Sequence, residues 1–215
     1  MTESSRKSAY GDAEARRRMT LDAAAELLDE GGYAALTIRS VAQRSGTSTG
    51  LIYQYFADKQ EIFIALLGES QTESAAFVEA LPRDQGVAAL IASVIPQTAR
   101  QWVRVGRLIA TWRTVEGDAR YERESVTEVR ETTRLYNEAL RSALIEAASK
   151  EGRCLREDPA VLPFVLSGLM GISDTLVNNW PTDVDPSDLI AFAAEAITRG
   201  ITAPGTAGQS GPATA

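Results

Sequence analysis

Hydrophobic positions recur at helical intervals through nearly the whole chain, and no strand pattern of any length appears between them. Met19, Ala23 and Leu27 stand four apart in a segment from about 13 to 30, which runs into Gly31-Gly32, where a helix is expected to stop. Tyr33 and Leu36 lead into a shorter apolar set, Ile38, Val41 and Ala42. Thr37 precedes that set, where a hydroxyl caps free N–H groups. Gly46 follows four residues after the small Ala42, at the point where a sharp turn is most easily made without a Cβ. Thr47 or Ser48 is placed to cap a next helix, which Ile52 anchors to the previous one. Asp58, with Glu61 three residues on, resembles a capping box for a long helix from about 59 to 80 with Ile62, Phe63, Leu66 and Leu67 on its apolar face; Pro82 ends it.

The remainder reads as a helical body. Residues 84–101 have a helical pattern that Pro96 is expected to kink or split. Residues 102–115 are strongly apolar, and 119–150 form a long amphipathic helix closed by Gly152, with Leu140, Leu144, Ala147 and Ala148 on its buried side. Asp158-Pro159 and Asp185-Pro186 each set an N-cap aspartate before a proline suited to a first turn, and Pro163 suggests that the first of these helices starts late. The expected architecture is all-α with about nine helices. Its divisions are a flexible arm over 1–12, a three-helix head over 13–58, a body over 59–201 and a tail over 202–215. That tail is small, polar and rich in Gly and Pro, so it is expected to be disordered.

Composition narrows the class. At 44% hydrophobic and 24% charged residues the chain has the make-up of a soluble globular protein. No apolar run reaches the roughly 18 residues of a membrane span, and the first residues lack the apolar core of a signal peptide. The single cysteine, Cys154, excludes an internal disulfide and fits a reducing cytoplasm. The absence of histidine removes the commonest general base and metal ligand. No Ser-His-Asp set, phosphate-cradling glycine loop or metal-ligand cluster is visible, so neither catalysis nor a cofactor is expected; Glu116 and Asp118 are a pair only by proximity. The net charge of −7 is unevenly spread: the first 60 residues are close to neutral, and nearly all the excess acid follows them. Arg16, Arg17 and Arg18 form a basic cluster that a phosphate backbone would attract, or simply a solvated face.

A short capped helix, a glycine turn, a second short helix and the capped start of a third make a helix-turn-helix, a motif that points to DNA. The second helix of the pair would show Ser48, Thr49, Tyr53 and Gln54 to a groove.

The run LTIRSVAQRSGTSTGLIYQYFADKQEIF, Leu36 to Phe63, resembles the tetracycline-repressor (TetR) family of transcriptional regulators, most strongly over residues 13–65. The resemblance implies a homodimer that binds an operator in double-stranded DNA, with a body that holds a small-molecule effector. It implies phosphate contact at Thr37, Tyr53 and Lys59, a base-reading role for Arg39, and an exposed recognition-helix start at Ser48, Thr49 and Gly50. Tyr55 stands where many members have histidine; Tyr55 and Phe56 alternatively pack the head, and Lys59 is alternatively a surface lysine. Trp102, Ile109, Trp112, Tyr136, Phe164 and Met170 are the apolar candidates for the effector pocket, with Arg113, Asp174 and Asn178 as its polar groups. The competing reading of these aromatics is ordinary core. The last two helices are expected to form the dimer interface, through Gly168 and Gly171 on one and Leu189, Ile190, Ala193, Ala194 and Ile197 on the other, a stripe that alternatively covers the body within one chain. The expected function is repression relieved by a small, largely apolar effector. An activator of the same architecture, or a helical interaction protein that does not touch DNA, are the alternatives.

Overall fold

The computed structural model describes the backbone of residues 3–116 and 124–205 and the side chains of 13–103 and 127–205. Helix α1 (Glu3–Ala35) begins well before residue 13, so most of the segment expected as a flexible arm has helical backbone. Thr20, Leu21, Ala24, Leu27 and Leu28 supply its buried stripe, whereas Met19 is 54% exposed and lies outside it. The helix is interrupted at Gly32, whose φ of 64° and ψ of −162° suit glycine.

Helices α2 (Ile38–Arg44) and α3 (Thr49–Ile52) follow with the expected punctuation. Thr37 Oγ1 accepts from the Ser40 N–H at 3.0 Å while Ser40 Oγ accepts from the Thr37 N–H at 3.0 Å. Gly46 turns the chain at φ 67°. Ser48 is the cap of α3, its Oγ accepting from the Leu51 N–H at 3.2 Å. At the start of α4 (Lys59–Ala80) Asp58 Oδ1 accepts from the N–H groups of Gln60 and Glu61, and Glu61 Oε2 accepts from the Ala57 N–H at 2.7 Å. Leu21, Leu36, Val41, Ile52, Ile62 and Phe63 meet in one core. Each such side chain contributes about 1.5–3 kcal/mol on burial, which holds helices too short to persist alone.

The chain divides into two compact units, one drawn from Met1–Gln71 and Val103–Thr133, the other from Thr72–Trp102 and Arg134–Ala215, so the division falls inside α4. In the second unit the guanidinium of Arg83 closes the end of α4, donating to the carbonyls of Val78, Glu79 and Leu81. Helix α5 (Gly86–Glu116) runs through Pro96 as one element, contrary to the expected split. Proline in a helix interior costs about 3 kcal/mol, but Val87, Leu90, Ile91, Val94 and Ile95 in the preceding turns are all buried and together outweigh it.

Helix α6 (Glu124–Lys150) leads to Gly152 at φ 68°. The chain then forms a two-stranded antiparallel ribbon, β1 (Arg153–Leu155) with β2 (Thr202–Pro204). Residues 202–204 are therefore ordered, with Thr202 buried, against the expectation of a disordered tail from 202; residues 206–215 lie outside the described residues. Three-residue strands are too short to leave an alternating pattern. Eight α-helices occur among the described residues.

Helix α7 (Val161–Asn178) starts two residues after Pro159, and Pro163 sits in its first turn, where an N–H has no intrahelical partner to lose. Neither predicted aspartate is the formal cap. Asp158 Oδ1 accepts from the Ala160 N–H, and Asp185 Oδ1 accepts from the Ser187 N–H just ahead of α8 (Ser187–Ile201). Asp185 is held below its usual carboxyl range, chiefly by the Ser187 hydroxyl and then by that N–H. By length and composition α7 is apolar enough to cross a membrane, which the search for unbroken apolar runs did not anticipate. Within the unit it meets the core through Val165, Leu169 and Ser173, and its other residues are half-buried or exposed.

Candidate functional site

Two parts of the molecule collect the predicted site residues. The first is the surface of the head. Ile52 is fully buried, which turns the opposite face of α3 outward. Ser48, Thr49, Gly50 and Gln54 are exposed there, and Tyr53 is 58% exposed. A Cβ added at Gly50 would find only Ser48 Oγ, at 3.9 Å, so the backbone is open to close approach. Arg39 and Thr37 are exposed on α2 and its cap, the Thr37 hydroxyl being engaged with Ser40.

Other predicted contacts have partners within the head. Tyr55 is half-buried against the core, so the packing alternative describes its ring. Phe56 is buried and lies under Arg17, whose guanidinium carbon is 5.5 Å from the ring centre. Lys59 Nζ stands 4.2 Å above the Tyr33 ring, which itself meets Phe63 edge-on at 5.8 Å. Of the predicted basic cluster, Arg18 binds Asp22 and Glu69, Arg17 covers Phe56, and Arg16 is exposed. Arg44 bridges α2 to α1 through Glu26 and Glu30, at 3.1 and 2.6 Å. The Arg44 hydrogen bonds hold the Glu30 carboxyl below its usual range.

The second part is a polar layer in the body, where α4, α5, α6 and α7 each contribute a side chain. Asp174 Oδ1 accepts from Trp102 Nε1 at 2.9 Å and from Asn178 Nδ2 at 2.7 Å, uniting three predicted pocket residues. Tyr136 packs on the body core and pairs with the Thr98 hydroxyl; burial pushes its phenol up to about 12, against the opposing effect of that hydrogen bond. Ser74 Oγ donates to Gln101 Oε1 at 2.7 Å. Among the described residues, Asn137 Oδ1 and Ser173 Oγ are buried without a hydrogen-bond partner, Ser173 being fully enclosed. Sequence reasoning missed Asn137, because a lone Asn within a helix carries no motif, and read Ser173 only as a small residue that lets helix backbones approach closely. An apolar period interrupted by one polar residue, as in Val165-Leu169-Ser173, was the available signal.

Several predicted residues fall elsewhere. Phe164 and Met170 are 52% and 44% exposed, displaced in helical phase from the buried stripe of α7, and do not join the polar layer. Ile109, Trp112 and Arg113, with Glu116 and Asp118, lie outside the residues whose side chains are described. On α8, Ala193, Ala194 and Ile197 are buried inside their own chain, so this stripe covers the body and does not offer a free dimer face. Ile190 packs on the same core, and Leu189 is half-buried. Gly168 serves the packing of α7 on α8: a Cβ there would stand 3.2 Å from Ile197 Cδ1. Gly171 is exposed with open space around it. The apolar residues left outward on the pair are Phe164 and Met170 on α7 and Phe192, 73% exposed, on α8.

A capped helix-turn-helix on a small head, continued by a helical body, defines an all-α helix-turn-helix protein by fold. Residues 21–66 match the family described as bacterial regulatory proteins, tetR family. It is 46% identical over 54 residues to the HTH-type transcriptional regulator HbdR of Aromatoleum sp. (strain CIB), covering 25% of this chain and 24% of that one. The chain spans between 24% and 36% of the length of the first curated relatives it matches. Solved structures share the fold over most of the chain. A tetR-family transcriptional regulator from Streptomyces coelicolor superposes with a TM-score of 0.62 at 17% identity, covering 86% of this chain and 79% of that one. The regulator FadR from Bacillus subtilis, in complex with stearoyl-CoA, gives a TM-score of 0.59 at 20% identity over 86% of this chain and 98% of that one.

Proposed function

We propose that this chain is a cytoplasmic transcriptional repressor that binds a palindromic DNA operator as a homodimer and is released by a small, largely apolar effector. The observation that carries the reading is the outward face of α3. Its readout positions, Ser48, Thr49, Gly50 and Tyr53, are exposed while Ile52 locks the helix to the core. A helix so mounted suits the major groove, and two copies would read half-sites about 34–36 Å apart or a multiple of that. Arg39 is free to meet a guanine edge in the bidentate manner. Thr37, Tyr53 and Lys59 would meet phosphates, and Tyr55 acts mainly by supporting the surface.

The head over 13–58 reads DNA and the body over 59–201 responds. The effector site is the polar layer of Trp102, Tyr136, Asp174 and Asn178, to which Ile109, Trp112 and Arg113 are also assigned. Buried polar atoms without partners are costly, so Asn137 Oδ1 and Ser173 Oγ are natural points for a ligand's polar group. The stearoyl chain of the stearoyl-CoA in complex with the Bacillus subtilis protein supports a ligand with a large apolar part for a body of this fold. Release follows when the effector prefers a body conformation in which the paired heads bind DNA less well. The dimer forms through the outward faces of α7 and α8, with Phe164, Met170, Gly171 and Phe192 taking the place first given to Ala193, Ala194 and Ile197.

Footprinting of the DNA upstream of the protein's own gene, at stated salt, tests the reading. Protection of an inverted repeat, lost in Arg39→Ala, is the expected result. A folded protein that protects no DNA there or in a genome-wide selection of bound fragments would overturn it.

A further inference from the structure

The second unit contains seven arginines with described side chains, and they divide sharply. Arg83 pairs with Glu146, Arg134 with Glu138 and Arg199 with Glu195, while Arg100 donates to Gln97. The other three, Arg141, Arg153 and Arg156, make no side-chain hydrogen bond or ion pair among the described residues. All three line one open groove of about 760 Å³, bounded by the C-terminal half of α6, the strand β1 and the start of α7. The Nε of Arg153 is buried there without a hydrogen-bond partner among the described residues.

In a chain of net charge −7, three uncompensated guanidiniums in one groove are unexpected unless something negative visits it. The acids that share the lining do not neutralise them. Asp158 already accepts from the Ala160 N–H at 2.8 Å, and Glu157 is exposed and forms no ion pair among the described residues. Apolar surface lies among the arginines: Leu144 is buried, Leu155 and Leu162 are half-buried, and Ile145 is 46% exposed. Arg141 and Ile145 are one turn apart on α6 and therefore share a face. Guanidinium forks match carboxylate and phosphate oxygens in paired hydrogen bonds.

We infer that this groove binds a small amphiphilic anion, with a carboxylate or phosphate head held by Arg141, Arg153 and Arg156 and an apolar body laid against Ile145, Leu155 and Leu162. This site is distinct from the polar layer, whose residues do not line the groove, and it stands or falls independently of DNA binding.

Cys154, the only cysteine in the sequence, lines the same groove and is exposed, so it reports occupancy directly. The full chain is alkylated with neutral iodoacetamide in the presence of decanoate or of uncharged decanol. At decanoate ten times its Kd, free sites fall to about a tenth and the alkylation rate falls by about that factor. Decanol is expected to protect far less. The exposed arginines are then changed together, Arg141→Gln with Arg156→Gln, which leaves the core untouched and should abolish protection. Equal protection by decanol, full protection retained in the double variant, or no protection at any decanoate concentration below its micellar threshold would each overturn the assignment.

Discussion

Gly46 and Gly50 lie four residues apart in the helix-turn-helix, and alanine at each should change stability in opposite directions. A Cβ at Gly46 meets nothing within 4 Å, so no neighbour resists it; the only obstacle is the backbone, at φ 67°. A non-glycine residue in that region costs about 1–2 kcal/mol. Loss of glycine's freedom in the unfolded chain returns about 0.4–1 kcal/mol. Gly46→Ala is thus expected to destabilise the head by roughly 0.5–1 kcal/mol, and Gly46→Asn by less, because asparagine tolerates this conformation. Gly50 is inside α3 with an ordinary φ, and the nearest atom to the added Cβ beyond its chain neighbours and helix backbone is Ser48 Oγ, at 3.9 Å. Alanine there gains up to about 1 kcal/mol of helix propensity. Urea denaturation followed by circular dichroism reads both shifts, and Ile52→Ala, which empties a fully buried site at about 2–5 kcal/mol, identifies the transition that belongs to the head. Shifts of the same sign for the two alanines, or a Gly46→Ala variant as stable as the parent, would refute the reasoning. In the same samples Gly50→Ala should bind operator DNA more weakly despite its added stability, since the new methyl stands on the readout face.

Three further outcomes are expected. Tyr136 should ionise at about 12 in an alkaline absorbance titration, while its neutral form is favoured by the fold. Its contribution is therefore complete below the unfolded value of about 10, is lost as pH rises from there through about 12, and disappears from the pH profile of Tyr136→Phe. Glu30, held below its usual range by Arg44, contributes stability that is complete above the ordinary glutamate value of about 4.3 and is lost as pH falls through the lowered one; Arg44→Met should flatten that acid-side change in a denaturation series. A double-mutant cycle on Lys59→Met and Tyr33→Leu should return a coupling of about 0.5–1 kcal/mol for the cation over the ring, and Lys59→Met should lower the salt slope of operator binding by about one.

The head was legible because its signals are local. Thr37, Gly46, Ser48 and Asp58 each act on backbone groups within a few residues, so the residue type at that spacing already contains the geometry. The body was legible in its helices but less so in their use. Ala193, Ala194 and Ile197 form an apolar stripe whether they face their own core or a second chain, and spacing alone does not separate the two. Phe164 and Met170 look like pocket residues by type, but the phase set by Val165 and Leu169 turns them outward. A kink or split was expected at Pro96 because local propensity was weighed without the buried aliphatics around it, and the helix runs through. The ribbon of Arg153–Leu155 with Thr202–Pro204 joins segments about fifty residues apart and was invisible to any local rule.

Helix α3, the proposed readout helix, is four residues long, and among those four only Ile52 is buried. A helix this short has no independent stability, so its shape is borrowed from the head around it. Heritable change can therefore act on the two properties separately. Substitutions at Thr49 and at the flanking Ser48 and Tyr53 touch solvent and, if α3 reads DNA as proposed, can drift toward a new operator with little effect on whether the head folds, provided the Ser48 position keeps a capping side chain. Ile52 is tied to the core and has no such freedom. On the proposed reading, a chain built this way can exchange one target sequence for another in a few steps without passing through an unfolded ancestor.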